Sequence, residues 1–204
     1  MANAWTMEEM APIQAAIFLK RGAGRKAIPM PASPRGTLPS GLADFRGFPL
    51  TEVTCASISD ADFTRARAPK NQFGAEQSIQ LQDVTAERSV FDRAGKFLRL
   101  MGQFNACSFR KITTHSASIS GTFTDCDFSG ANFKMAYFSA RFIRCRFHNC
   151  NLHLAGWPPS SFQDCEFAGA GIHEIFADVR DAAFAGDHVT FTVTMSKVIV
   201  GGES

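Results

Sequence analysis

No two cysteines stand in a Cys-x-x-Cys pair, although the chain has six cysteines. The spacing typical of compact zinc sites is therefore absent, and the thiols call for another explanation. Charge of one sign is not in excess either. The 204 residues hold 21 Lys and Arg against 19 Asp and Glu, a formal charge of +2, which argues neither for a nucleic-acid binder nor for an acidic decoy. Long hydrophobic runs are missing. The opening stretch MANAWTMEEMAPIQAAIFLKRG has no basic leader, carries Glu8 and Glu9, and holds an apolar segment too broken and short for a secretory or membrane-spanning helix. A cytoplasmic location without membrane insertion is the expectation. The chain also lacks a Gly-rich phosphate loop, a nucleophile–base motif and a pair of catalytic carboxylates beside a plausible pocket, so neither enzymatic activity nor a cofactor is expected.

What the chain does have is phenylalanine in rhythm. Residues 126–147 read CDFSGANFKMAYFSARFIRCRF, with Phe128, Phe133, Phe138, Phe142 and Phe147 on a period near five. Neither a helix nor a flat strand puts a residue on one face at that interval. Taking the large apolar residue as the centre of each unit, the rhythm extends from Phe104 to Ile172, with four-residue steps only from Ile119 to Phe123 and from Phe138 to Phe142. Two positions before each centre the residue is small or apolar, as at Cys107, Cys126, Ala131, Ala136, Cys145 and Cys165. Each unit thus points two residues inward, and a self-similar period of this kind marks a solenoid.

Units such as CDFSG, ANFKM, CRFHN, CNLHL and CEFAG resemble the pentapeptide-repeat family, clearly over 102–172 and more loosely over 46–65 and 177–184. The resemblance implies an all-β fold, a right-handed quadrilateral β-helix with four units per turn, here preceded by a short N-terminal helix and an extended arm. Four units per turn would stack Phe104/Phe123/Phe142/Phe162, Phe109/Phe128/Phe147/Phe167 and Cys107/Cys126/Cys145/Cys165. Outside the core, Asp125/Arg144/Asp164 and Asp127/Arg146/Glu166 would alternate in sign, a favourable arrangement between neighbouring strands. The Cys column is read as packing, because a free Cys behaves as a small buried hydrophobe.

The chain divides on this reading into an N-terminal helix with a Pro/Gly-rich arm over 1–41, the β-helix over 42–186, and a C-terminal capping or pairing strand over 187–204. Thr6 and Glu9 form a capping-box pattern, and Met10, Ile13, Ile17 and Phe18 cluster on one side of the following helix. That face either covers the first turn or inserts into a partner. A turn is expected to begin near Phe48, and 66–101 is irregular, with an inserted loop around 68–75. His115, Lys134, His153 and His173 would stack in an exterior column and offer a second partner-binding stripe.

These features point to a non-enzymatic interaction or assembly subunit that binds a protein partner through a rigid β-helix and an anchoring arm, with homo-oligomerisation through the C-terminal strand as an option. No direct nucleic-acid contact is expected. The family resemblance supplies an alternative: several pentapeptide-repeat proteins protect DNA gyrase from inhibitors by imitating duplex DNA. This sequence departs from that pattern, since 102–172 holds six basic residues against four acidic ones.

Overall fold

The computed structural model describes residues 4–17, 27–54, 56–114, 116–152, 155, 160–169, 183–185 and 190–192. All its strand ladders are parallel and join residues one coil apart. In the most regular part Phe104 lies opposite Phe123, Phe123 opposite Phe142 and Phe142 opposite Phe162, offsets of 19, 19 and 20 residues. Parallel neighbours at so short an offset leave no room for crossover helices, so the chain winds as a β-solenoid. The expected all-β coil and its register are what the structure contains.

Corners are made by residues in left-handed conformation. Asp60, Arg88, Ala106, Asp125, Arg144 and Asp164 form one such edge, with φ of 45–54°. A second consists of Gly47, Arg65, Arg93, Lys111, Gly130, Asn149 and Gly169. Non-glycine residues resist this conformation by about 1 kcal/mol each, and the bonds between coils offset that cost. The N–H of Arg65 donates to the carbonyl of Asp92, that of Arg93 to Arg110, and that of Lys111 to Ser129, at 2.8–3.0 Å.

The core is a set of ring stacks. Phe45, Phe63, Phe91, Phe109, Phe128, Phe147 and Phe167 form one column, with neighbouring centroids 4.9–5.3 Å apart and nearly parallel planes. Phe104, Phe123, Phe142 and Phe162 form another, and the two columns meet edge to face. Both arrangements suit the quadrupole of the ring and add about 0.5–1.5 kcal/mol per pair beyond burial.

The first coil begins at Phe45 rather than at Phe48. Phe45 stacks on Phe63, whereas Phe48 meets Phe45 and Phe63 edge-on. Residues 66–101 continue the coil, with one excursion and two register shifts, between Ile79 and Gln80 and between Leu81 and Val84. Phe63 and Phe91 are 28 residues apart yet stack at 5.3 Å, because a loop closed by an antiparallel bridge between Lys70 and Glu76 is extruded from the coil. The Asn71 carboxamide accepts bonds from the N–H groups of Phe73 and Ala75 and shapes the loop tip.

The helix Met7–Ile17 begins with the expected capping box. The Thr6 N–H donates to Glu9 Oε2 at 2.8 Å, and the Glu9 N–H donates to Thr6 Oγ1 at 3.2 Å. Ile13 is wholly buried in the core, and Met10 packs against it. Trp5 extends the ring column by lying parallel to Phe45 at 6.2 Å, and its indole N–H donates to the Arg46 carbonyl. Arg35 covers the other side of Trp5 at 3.9 Å from the ring centroid and forks onto both oxygens of Glu9. The arm is laid on the solenoid too, with Ile28–Pro29 paired in parallel to Ala56–Ser57.

The helix therefore covers the open end of the coil, and one clasp can be tested by titration. Arg35's hydrogen bonds, helped by the Thr6 N–H, lower the Glu9 carboxyl from 4.5 to about 2. A depressed folded value contributes stability that is present above 4.5 and is lost as the pH falls through about 2. We expect a carboxyl NMR titration of Glu9 to show a midpoint near 2. A midpoint at the ordinary carboxylate value would mean that Arg35 does not clamp it.

At the other end, Thr190–Thr192 pairs in parallel with Glu166–Ala168 and places Phe191 opposite Phe167 in register. The remainder of the expected C-terminal strand lies outside the described residues, as do 18–26 of the arm.

Candidate functional site

Among the described residues the interior is packed with stacked Phe rings together with Ile, Leu, Val, Ala and Cys side chains. Cys107, Cys126, Cys145 and Cys165 are buried free thiols in the expected inward positions. Each donates to a nearby carbonyl, as Cys107 does to Asn105 and Cys145 to Phe123, both at 3.3 Å. Burial pushes the neighbouring Cys150 thiol up to about 12. A thiol so placed stays protonated at neutral pH and is a poor nucleophile. Among the described residues no cluster of His, Cys, Asp and Glu is arranged to hold a metal ion, and no helix is long and apolar enough to cross a membrane.

The outer surface is different. Beside the long Phe column a groove of about 970 Å³ runs along the solenoid. Because the rings of successive coils stack, the two residues after each ring stack as well. The groove is accordingly lined by Arg46–Gly47, Thr64–Arg65, Asp92–Arg93, Arg110–Lys111, Ser129–Gly130 and His148–Asn149. The second member of each pair is the left-handed corner residue.

Charges in the first line of the groove are mostly matched. Arg46 pairs with Asp44 at 2.9 Å, Arg110 with Asp92 at 2.6 Å, and His148 lies 3.1 Å from Glu166. Asp92 is buried and also accepts from the Arg110 N–H and the Ser108 hydroxyl. The corner line is not matched. Arg65, Arg93 and Lys111 are exposed on three consecutive coils, and among the described residues none of the three side chains makes an ion pair. The Lys111 stem leans over Gly130, where an added Cβ would come within 3.2 Å of it. The result is an unneutralised cationic strip on one edge of a nearly neutral protein.

The adjacent corner, five residues earlier on each coil, shows the contrast. There Arg88 forks onto Asp60 at 2.7 and 2.8 Å, and Arg144 forks onto Asp125 at 2.7 Å. Arg146 donates to Glu166 at 2.9 Å, as the alternating columns led one to expect. Arg141 donates to the Gln163 side-chain oxygen at 3.4 Å.

The residues singled out from the sequence are dispersed. Ile13 lies in the core and Met10 is half-buried against it, so both are engaged with the chain's own first coil. Ile17 ends the helix. Lys134 is half-buried, and its backbone N–H donates to Asn132 Oδ1 at 3.1 Å. Phe18, His115, His153 and His173 lie outside the described residues. Sequence reasoning missed Arg65, Arg93 and Lys111. The spacing of Phe63, Phe91 and Phe109 held the signal, but the loop inserted between the first two hid it.

The coil offset, the parallel ladders and the two inward residues in each unit of five define a parallel β-solenoid built on a five-residue period. Among solved structures the chain is similar to QnrB1, described as a plasmid-mediated fluoroquinolone resistance protein, at 13% sequence identity and a TM-score of 0.38, covering 71% of this chain and 88% of that one. The overlap is loose, and the repeat geometry defines the class without it. Neither a family model nor a curated protein matches the sequence.

Proposed function

We propose that this protein is a non-enzymatic interaction module, a stiff rod whose grooved edge is recognised by another protein. The observation that carries this reading is the division of labour between inside and outside. The interior is filled with stacked rings and buried thiols, while the outer edge presents a continuous groove with three cations that make no ion pair among the described residues. Solenoids present extended rigid surfaces of this kind to large partners, and a pre-ordered surface binds without the cost of arranging itself first.

The gyrase-protecting alternative needs an acidic face shaped like duplex DNA. Asp60, Asp125 and Glu166, the acidic side chains best placed to form one, are held instead by Arg88, Arg144 and Arg146. The interaction reading is tested by recovering the tagged full-length protein from its source cells and measuring the mass of what elutes. We expect one protein to co-elute in fixed stoichiometry, and a monomeric elution across protein concentrations and salt would sink the reading. A supercoiling assay with purified gyrase separates the alternative: drug relief by this protein would reinstate it.

A further inference from the structure

The cationic strip also suggests the chemistry of what it binds. We propose that the corner line Arg65, Arg93 and Lys111 receives an acidic segment of a protein partner, lying extended along the groove. This deepens the interaction reading and rests on it.

Consecutive coils are about 4.8 Å apart, so the three cations form a line about 10 Å long, parallel to the solenoid axis. A line of this kind suits a chain running along it more than a compact anion, which would meet one or two of the three. The groove continues past the cations to Ser129, Gly130 and Asn149, which offer polar groups to the main chain of such a segment. Because none of the three cations is already committed to an acid among the described residues, an incoming carboxylate displaces water alone and breaks no ion pair.

Charge around the strip distinguishes peptide from nucleic acid. On the side of the Phe face the line is bordered by Asp44, Asp62 and Asp127, which are oriented inside their own turns: Asp44 towards Arg46, Asp62 towards the Thr64 N–H, and Asp127 towards Ser129. Duplex DNA carries a charge about every 1.7 Å of axis and needs a broad basic surface, which these carboxylates interrupt. Single strands are usually held by stacking on aromatic rings as well as by cations. No Phe, Tyr or Trp lines the groove, and its one imidazole, His148, lies against Glu166. A narrow strip of separated cations, bordered on its Phe side by charges that are already paired, matches a peptide with acidic residues spaced by small polar ones.

The test uses the full-length protein and a fluorescein-labelled peptide of alternating Glu and Ser, followed by fluorescence anisotropy at low salt. The variant is Arg65→Asn with Arg93→Asn and Lys111→Asn. Asparagine is chosen because Asn149 already occupies the same corner with φ of 54°, and Asn tolerates the left-handed region. We expect the wild-type protein to bind the peptide, to lose affinity as salt rises, and to lose about tenfold or more in the triple variant. The melting temperature should be unchanged, and Arg88→Asn on the adjacent corner, where the side chain is already paired with Asp60, should bind as wild type. Absence of peptide binding, or equal binding by the triple variant, would overturn the proposal. So would tighter binding of a single-stranded oligonucleotide of equal charge, which would assign the strip to nucleic acid. A co-eluting cellular partner retained in full by the triple variant would remove the groove from recognition while leaving the interaction module intact.

Discussion

Replacing Phe128 by alanine is expected to lower the free energy of unfolding by about 3–5 kcal/mol, the range for emptying a buried aromatic position. Phe128 is wholly buried and sits mid-column, 5.2 Å from Phe109 on one side and 5.2 Å from Phe147 on the other. Phe123, Phe133 and Phe142 close the ring from its edges. The void left by Ala would collapse poorly, because the neighbouring rings are held by backbone ladders that fix the coil spacing. The Phe128 N–H, for example, donates to the Arg146 carbonyl at 2.8 Å. Urea denaturation of the variant measures the effect, with Phe128→Leu as a milder companion expected to cost less than half as much. A loss below about 1 kcal/mol for the Ala variant would mean that the ring column is not the principal source of cohesion.

Gly121→Ala is expected to be nearly as damaging for an unrelated reason. Gly121 has a φ of 104°, and a Cβ built there would lie 2.0 Å from the carbonyl oxygen of Gly102 on the preceding coil. That neighbour is backbone in a parallel ladder, where Gly102 is paired with Gly121, and cannot swing aside. Relief requires the peptide to flip or the coils to separate. Backbone strain of about 1–3 kcal/mol adds to the disrupted ladder, and we expect a total loss of at least about 3 kcal/mol. Thermal melting of Gly121→Ala beside Gly130→Asn provides the check. The second substitution places at a left-handed corner a residue that the same corner already accepts at Asn149, and it should cost less than about 1 kcal/mol. Equal, small losses would show that the close approach at Gly121 is absent.

The two substitutions probe different layers of the same design. Ring stacking makes the rod cohesive, and the flipped glycines let two coils turn the corner from Leu100 to Phe104 and from Ile119 to Phe123 in four residues. The next coil has Ala140 in register with Gly121 and does so without a positive φ. Substitutions on the outer strip should leave both layers alone, and this is what makes the cationic edge separable from stability.

Legibility from sequence followed the strength of the repeat. The Phe and Cys columns over 102–172 could be laid out from residue numbers because inward residues recur every few positions and any wrong coil length misaligns all of them at once. The charge pairs Arg144 with Asp125 and Arg146 with Glu166 followed from the same alignment. The N-terminal helix was legible as a helix through Thr6 and Glu9. Its docking on the chain's own first coil was one of two readings, because the contacts that decide it join residues far apart in sequence: Trp5 with Phe45, and Glu9 with Arg35.

The sequence by itself determined the coil and its filling, since a period of five with two inward residues permits few backbones and the side-chain volumes select among them. Tertiary structure alone decided which exterior residues become neighbours. Arg65, Arg93 and Lys111 are separated by 28 and 18 residues, and nothing local relates them. They form one strip because the chain ejects the loop between Lys70 and Glu76 and then resumes the register of the Phe column. The rings enforce that register, for a coil out of phase would bury corner charges and expose phenylalanine. The edge is thus a consequence of core packing, written in the sequence only as the distance from each cation back to its ring.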